Sequence, residues 1–385
     1  MDFEETAEQV MLREAVGKIA AGYGHDYFHA KVKSGGHSTE LWNEIGGAGF
    51  IGVSIPEQYG GGGMGISELA IVAEELAAHG CPLMLLMVSP AICGTIIARF
   101  GTPEQRDRWL PGLASGEHKM VFAITEPDAG SNSHRLATAA TRDGDAWRIR
   151  GTKHFISGVD EADTILVVTR TGTDPASGRG RLSLLIVDSD APRLERTLIP
   201  LEIAAPEKQF LLFFDDVAVP RERLLGSEGD GLRQVFHGLN PERIIGAAGA
   251  NGIARYALAR AAAYARQRSV WGGPIGAHQG ISHPLASAKI EVELARLATQ
   301  KAAWAHDQGR PDAGETANMA KYAAAEAALR ALDAAIQAHG GNGFASEYGL
   351  ADLWGMTRVL RTAPVSREMI LNFVAEHSLG LPRSY

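Results

Sequence analysis

Two cysteines in 385 residues, Cys81 and Cys93, are too few for a disulfide framework or a thiolate metal cluster. A chain of this kind fits a reducing compartment, and a cytoplasmic location is the expectation. No apolar run approaches the roughly 20 residues needed to span a bilayer, so no integral membrane segment is expected. The first residues, MDFEETAEQV, are acidic and helix-like, unlike a secretory leader. A surplus of basic charge is also missing. The net charge is -8 and the pI about 5.9, which argues against a broad nucleic-acid or anionic-membrane surface. A small anionic ligand stays open, because a few local arginines can outweigh a distant mean charge. Also absent is a GxGxxG leading from a strand into a helix. The four glycines Gly60 to Gly63 read as a loop, so the usual dinucleotide fingerprint is lacking.

What is present is an ordinary globular mixture, 45% hydrophobic and 21% charged, long enough for two or three domains. Three zones differ in period. To about Gly116 the helical repeat dominates, with Leu69, Val72 and Leu76 in one run and Gly80 as a stop. Thr102, Pro103 and Gln105 form a capping-box signature for a helix that should break near Pro111. From about Lys119 to Arg221, short runs such as DTILVVT, LSLLIVD and QFLLFFDDVAV alternate with turns, including the Asp-Gly of TRDGD. No helices separate them, which disfavours a doubly wound parallel sheet. From Gly231 onward the chain is alanine-rich and helical, and a four-helix bundle is the simplest way to bury its stripes. The fold class is therefore α+β, with an N-terminal helical domain over 1–118, a middle β-domain over 119–222 and a C-terminal helical domain over 223–385.

Two segments carry chemistry. FAITEPDAGSN leaves a strand for a turn-rich loop in which Thr125 and Ser131 offer hydroxyls and Gly130 permits close approach. GTKHFISG places Phe155 and Ser157 at the same strand parity, so a ring stands beside a hydroxyl. Taken alone, the first is also a polar hairpin connection and the second a half-buried strand.

Six stretches in order, GTPEQRDRWLPGLASGE, FAITEPDAGSN, GTKHFISG, RQRSVWGGPIGAHQGI, IQAHGGNGF and REMILNFVAEH, resemble the acyl-CoA dehydrogenase family over nearly the whole chain. The resemblance implies its fold, an FAD cofactor and α,β-dehydrogenation of an acyl-CoA thioester to the trans-2-enoyl-CoA. It also implies an electron-transfer flavoprotein or similar acceptor and a homotetramer. By the same resemblance Phe122, Thr125, Ser131, Phe155 and Ser157 line the flavin side, with Phe155 where a tryptophan is usual and Ser157 where a threonine is usual. Ser131 also touches the pantetheine arm. Arg268, Trp271, Gln279, Gln337, Gly340 and Gly341 reach FAD, several of them across a subunit boundary, and Val365 and Arg367 complete the cofactor side. Alone, Arg268 reads as a solvated helix-end arginine, and the glycine pair as a helix C-cap.

The base requires a choice. Many members carry a glutamate just before the final helix, where this chain has Thr362-Ala363-Pro364-Val365. Alanine takes no proton, and the flanking Arg361 and Arg367 are not bases near neutrality. A subset of isovaleryl- and long-chain-type enzymes places the glutamate before a CoA-binding arginine, which here is Glu242 before Arg243. Pro241 suggests a helix start or kink there. The resemblance thus implies that Glu242 is the base and that Arg243 holds the nucleotide end of CoA. The backbone N–H of Ala363 would polarise the thioester oxygen. An acyl-CoA oxidase-type use of O2 and a non-catalytic CoA- or flavin-binding relative are the alternatives. A nitroalkane oxidase-like enzyme with an aspartate base draws little support. No metal site is expected.

Overall fold

The computed structural model describes residues 4–383, so the expected outer limits at Met1 and Tyr385, and the first three residues of the acidic N-terminal stretch, lie outside the described residues. Helix α1 (Ala7–Ser34) opens on a capping box between Thr6 and Gln9 and breaks at Gly24, whose φ of 67° leaves the helical region. Helix α2 (Thr39–Gly47) follows, then α3 (Ile66–Ala78), which buries Leu69, Val72 and Leu76 completely. Each such side chain contributes about 1.5–3 kcal/mol. A π-helical turn (Met87–Gly94) runs into α4 (Thr95–Phe100). Helix α5 (Pro103–Ser115) starts at the expected Thr102–Gln105 capping box but passes through Pro111 without breaking. That proline forfeits one helical hydrogen bond, and the buried face of Trp109, Leu110, Leu113 and Ala114 holds the turn.

The middle zone is an eight-stranded sheet. Its strands are β1 (Met120–Ala123), β2 (Ala139–Asp143), β3 (Ala146–Ser157), β4 (Thr164–Thr173), β5 (Gly180–Asp188), β6 (Leu194–Ile199), β7 (Gln209–Pro220) and β8 (Leu224–Leu225), in the order β6-β7-β3-β2-β4-β5-β8 with β1 on β4. Gly144, at φ 59°, makes the Asp-Gly turn between β2 and β3. The sheet reaches beyond the expected limit at 222, because Leu224 and Leu225 pair with β5.

The last zone holds three long helices, α6 (Gly231–Gln267), α7 (Gln279–Asp307) and α8 (Ala313–His339), joined between α6 and α7 by the short strands β9 (Ser269–Val270) and β10 (Gly273–Pro274). The fourth side of the expected bundle is shared by two seven-residue helices, α9 (Leu353–Val359) and α10 (Arg367–Phe373), because GGNGF and TAPV interrupt the periodic stretch. No helix among the described residues is long and apolar enough to cross a membrane.

The helical zones are joined through charge. Glu74 and Glu75, adjacent and buried on α3, receive Arg255 from α6 at 2.9 and 2.8 Å, Arg13 from α1 at 2.8 Å on Glu75, and Arg296 from α7 at 2.7 Å on Glu74. Burial alone would raise the Glu75 carboxyl, yet Arg255 and Arg13 hold it below its ordinary value of 4.5. Stability from a depressed carboxylate is present above its unfolded value and is lost as pH falls through the folded one. Arg255→Ala should therefore cost roughly 3–5 kcal/mol at neutral pH, because it leaves buried carboxylates short of a partner. The variant should also lose less than the wild type on acidification below about 4.5, as Glu75 would then start nearer its unfolded value. Urea midpoints at pH 7 and pH 4 measure both effects, and equal midpoints at pH 7 would remove the network from the account.

Candidate active site

The first wall of the site is built on β1 and β3. Strand β1 is wholly buried, Phe122 included, so that ring backs the wall rather than facing solvent. The loop beyond it is held from inside. Buried Lys153 donates to the Ile124 carbonyl at 2.9 Å and to Glu126 Oε1 at 2.8 Å, while Glu126 accepts from the Ala137 and Thr138 amides at 2.6 and 3.0 Å. Burial pulls the Lys153 ammonium down to about 8 against the opposing pull of Glu126. Thr125, half-buried, accepts the His154 amide on its carbonyl at 2.8 Å, which ties the two chemistry-bearing segments together. Ser131 is exposed, and the space above Gly130 is open to at least 4 Å.

Between Lys153 and Ile156 the register of β3 on β7 slips, and Phe155 takes φ 58° with half its surface exposed. The regular strand inferred from parity is thus a bulge, which re-aims the ring outward. Ile156 is buried, and Ser157 beyond it donates to Gln209 Oε1 at 3.0 Å. Gln209 in turn reaches Met84 Sδ at 3.8 Å, at the approach to the π-helical turn.

The second wall is α6. It continues as one helix from Gly231 across buried Pro241, so the helix start expected there is absent. A proline within a helix removes its own N–H bond to the carbonyl four residues back. Here packing of both flanks outweighs that loss, and Glu242 is an interior helical residue rather than a first-turn one. Glu242 keeps a partly exposed side, yet the protein around its carboxyl raises it to about 7, with Arg243 and Lys321 pulling the other way. Buried Cys93 feels the same charge. Arg243 donates to Asn240 Oδ1 at 2.9 Å and leaves its buried Nε without a partner.

Lys321 of α8, fully buried, donates to the Val365 carbonyl at 2.6 Å and so pins the loop that carries Ala363 against the Glu242 cluster. Gly246, one turn beyond Glu242, lies where a Cβ would come within 3.5 Å of Met87 Sδ and 4.0 Å of Pro364. Met87 from the π-helical turn, Gly246 from α6 and Pro364 from the loop thus converge. Arg367 faces Glu326 at 3.7 Å and stacks over Tyr322 at 5.8 Å, so its charge is already engaged within the chain. The Ala363 N–H donates to the Val359 carbonyl at 2.8 Å, in the turn that follows α9.

A third group lies apart on the surface. Arg268, Gln279, Gln337, Gly340 and Gly341 are exposed, and Trp271, at φ 49°, is 93% exposed. Gln337 and Gly280, next to Gln279, line one groove of about 280 Å³ between α7 and α8. These residues are not brought to Glu242 by this chain alone. Sequence reasoning missed Lys321, Lys153 and Glu126. A lone lysine inside ANMAKYAAAEAA is the only available signal for the first, and an exposed lysine explains that string equally well.

Three family models match in chain order. They describe the acyl-CoA dehydrogenase N-terminal domain over residues 6–117, the middle domain over 121–217 and the C-terminal domain over 229–379. The acyl-CoA dehydrogenase FadE12 of Mycobacterium tuberculosis is 55% identical over 384 residues, covering 100% of this chain and 99% of that protein. The glutaryl-coenzyme A dehydrogenase complex with glutaryl-CoA superposes with a TM-score of 0.94 at 32% identity, covering 100% of this chain and 98% of that one. The FAD complex of PigA superposes with a TM-score of 0.92 at 26% identity, covering 99% and 100%.

The buried pair behind the Thr125 loop makes a prediction of its own. Lys153→Met leaves Glu126 buried without its cation, so stability should fall by roughly 3–5 kcal/mol. Amide exchange at Ala137 and Thr138 should quicken as Glu126 takes up a proton. Unchanged exchange at both amides would show that the loop is held by something else.

Proposed function

The chain belongs to the acyl-CoA dehydrogenase family, and from that premise we propose that this member keeps its base on α6, at Glu242. It is an FAD-dependent enzyme that converts an acyl-CoA thioester into its α,β-unsaturated product. The observation that carries the assignment is a carboxyl raised to about 7, set against a loop whose own position offers only Ala363. A base tuned near the working pH combines a useful ionised fraction with a real appetite for the proton.

The donor set suits FAD. Thr125, Ser131 and Ser157 supply hydroxyls along one wall, Phe155 an outward ring, and the open space over Gly130 lets a ligand approach the backbone. When bound, FAD supplies the hydride acceptor for Cβ. The chain does the rest. Glu242 takes the Cα proton onto a carboxylate oxygen. Arg243 and Lys321 keep that carboxylate partly ionised despite its burial. Arg243, with one unpartnered N–H, is proposed as the anchor for an anionic group of CoA. Val365, held by Lys321, borders the cofactor side.

We further propose a homotetramer in which Arg268, Gln337, Gly340 and Gly341 act on a neighbour's FAD, with Trp271 and Gln279 also on the cofactor side. The exposed apolar stripe of Ile290, Leu294, Leu297 and Trp304 on α7 supports burial against another copy. An electron-transfer flavoprotein is the proposed acceptor, lipid metabolism the setting and the cytoplasm the compartment, the last on the two buried free thiols.

Two outcomes follow. Glu242→Gln should retain FAD and acyl-CoA binding while flavin reduction slows by at least about 10²-fold. In the wild type the reduction rate should rise with pH through about 7, because the active form is the ionised one. Anaerobic stopped-flow bleaching of the flavin measures both, and full-rate bleaching in the variant would move the base elsewhere, with Glu368 the next candidate. Sedimentation at micromolar protein tests the assembly, and a stable FAD-loaded monomer would contradict it.

A further inference from the structure

A cluster of ring nitrogens and one carboxylate, sharing no residue with the catalytic site, lies where the N-terminal helix meets the start of α9. The break at Gly24 restarts α1 so that His25 and His29 stand one turn apart on the same face, their rings stacked 6.0 Å apart. Both address a single oxygen. His25 Nε2 lies 2.7 Å and His29 Nδ1 2.9 Å from Oδ2 of Asp352, the N-cap residue of α9. One donor atom from each of the three residues falls within 4.8 Å of the others.

Three polar atoms around the cluster have no partner: His29 Nε2, Asp352 Oδ1 and the hydroxyl of Tyr256, a residue only 7% exposed. The Tyr256 and His25 rings lie 5.6 Å apart. Gly349, at φ 58°, keeps the space beside them clear, since a Cβ there would stand 2.8 Å from the Tyr256 hydroxyl and 2.9 Å from His25 Nε2. On its far side His25 Nδ1 faces the Gly80 carbonyl at 3.3 Å.

We propose that His25, His29 and Asp352 bind one divalent transition-metal ion of the zinc type. Two imidazoles and a carboxylate, without thiolate, suit zinc, cobalt or nickel, whereas calcium and magnesium call for oxygen ligands throughout. A ligating histidine commonly donates its other ring N–H to a backbone carbonyl, which is the arrangement of His25 and Gly80. Three protein ligands leave a position for water, and the unpartnered Tyr256 hydroxyl is placed to bond it. An entering ion would take the place of the 2.7 and 2.9 Å ring–carboxylate contacts, with each ring binding through the nitrogen that now faces Asp352. The bound ion would tie α1 to α9, two elements from opposite ends of the chain.

The test uses tag-free, FAD-loaded full-length enzyme stripped with a chelator and titrated with Co2+, whose visible ligand-field bands lie beyond the flavin absorption. Zn2+ is then added as competitor. Expected are one Co2+ per chain, displaced by Zn2+, and a higher thermal midpoint with Zn2+. His29→Gln and Asp352→Asn should each weaken binding by more than the 10–100-fold typical of lost supporting partners. Both should abolish the Zn2+ shift while keeping flavin content and dehydrogenation, which shows that they fold. No Co2+ bound at roughly tenfold excess over protein, or binding undiminished in both variants, would overturn the proposal and leave a hydrogen-bonded cluster only.

Discussion

The base we propose is a carboxylate that must be charged to work, and it lies where charge is costly. The surroundings of Glu242 raise it from 4.5 to about 7. At about 1.4 kcal/mol per unit this is a handicap of roughly 3 kcal/mol on its ionised form. Without Arg243 and Lys321 the handicap would be larger and the group a neutral acid at working pH. The rest of the site is arranged round that balance. Helix α6 continues across Pro241 and so presents Glu242 from its interior, and α8 carries a lysine on its buried face. The same lysine donates a hydrogen bond to the Val365 carbonyl, so the group that helps ionise Glu242 also fixes the loop opposite it.

Buried charge recurs as the joint between elements. Glu74 and Glu75 collect arginines from α1, α6 and α7, so three helices distant in sequence meet on two adjacent carboxylates. Lys153 and Glu126 organise the hydroxyl-bearing loop from below, while Phe155 is turned outward above it. In each case a polar contact fixes direction, and the apolar core, continuous through all three zones, supplies the cohesion.

Much of this was legible in the residues. The helix–sheet–helix order follows from the change of period, and the Thr102 capping box is local chemistry that survives any context. The misreadings share a cause. Pro111 and Pro241 look like breaks because a proline costs one hydrogen bond locally, and only tertiary burial, which a string does not display, repays it. Lys321 stayed invisible because a lysine in an alanine-rich helix reads the same whether it faces water or a carboxylate. Arg268 and Trp271 are exposed in the single chain, so their proposed part in FAD binding has no counterpart in its own contacts to read.

The central claim is that proton removal from Cα depends on Glu242, and proton exchange isolates that step from oxidation. With a bound acyl-CoA analogue that cannot lose its β-hydrogen, the account predicts that the wild-type enzyme exchanges the α-proton with D2O. Exchange should be retained in Glu368→Gln and lost in Glu242→Gln. Exchange at the wild-type rate in Glu242→Gln would contradict it.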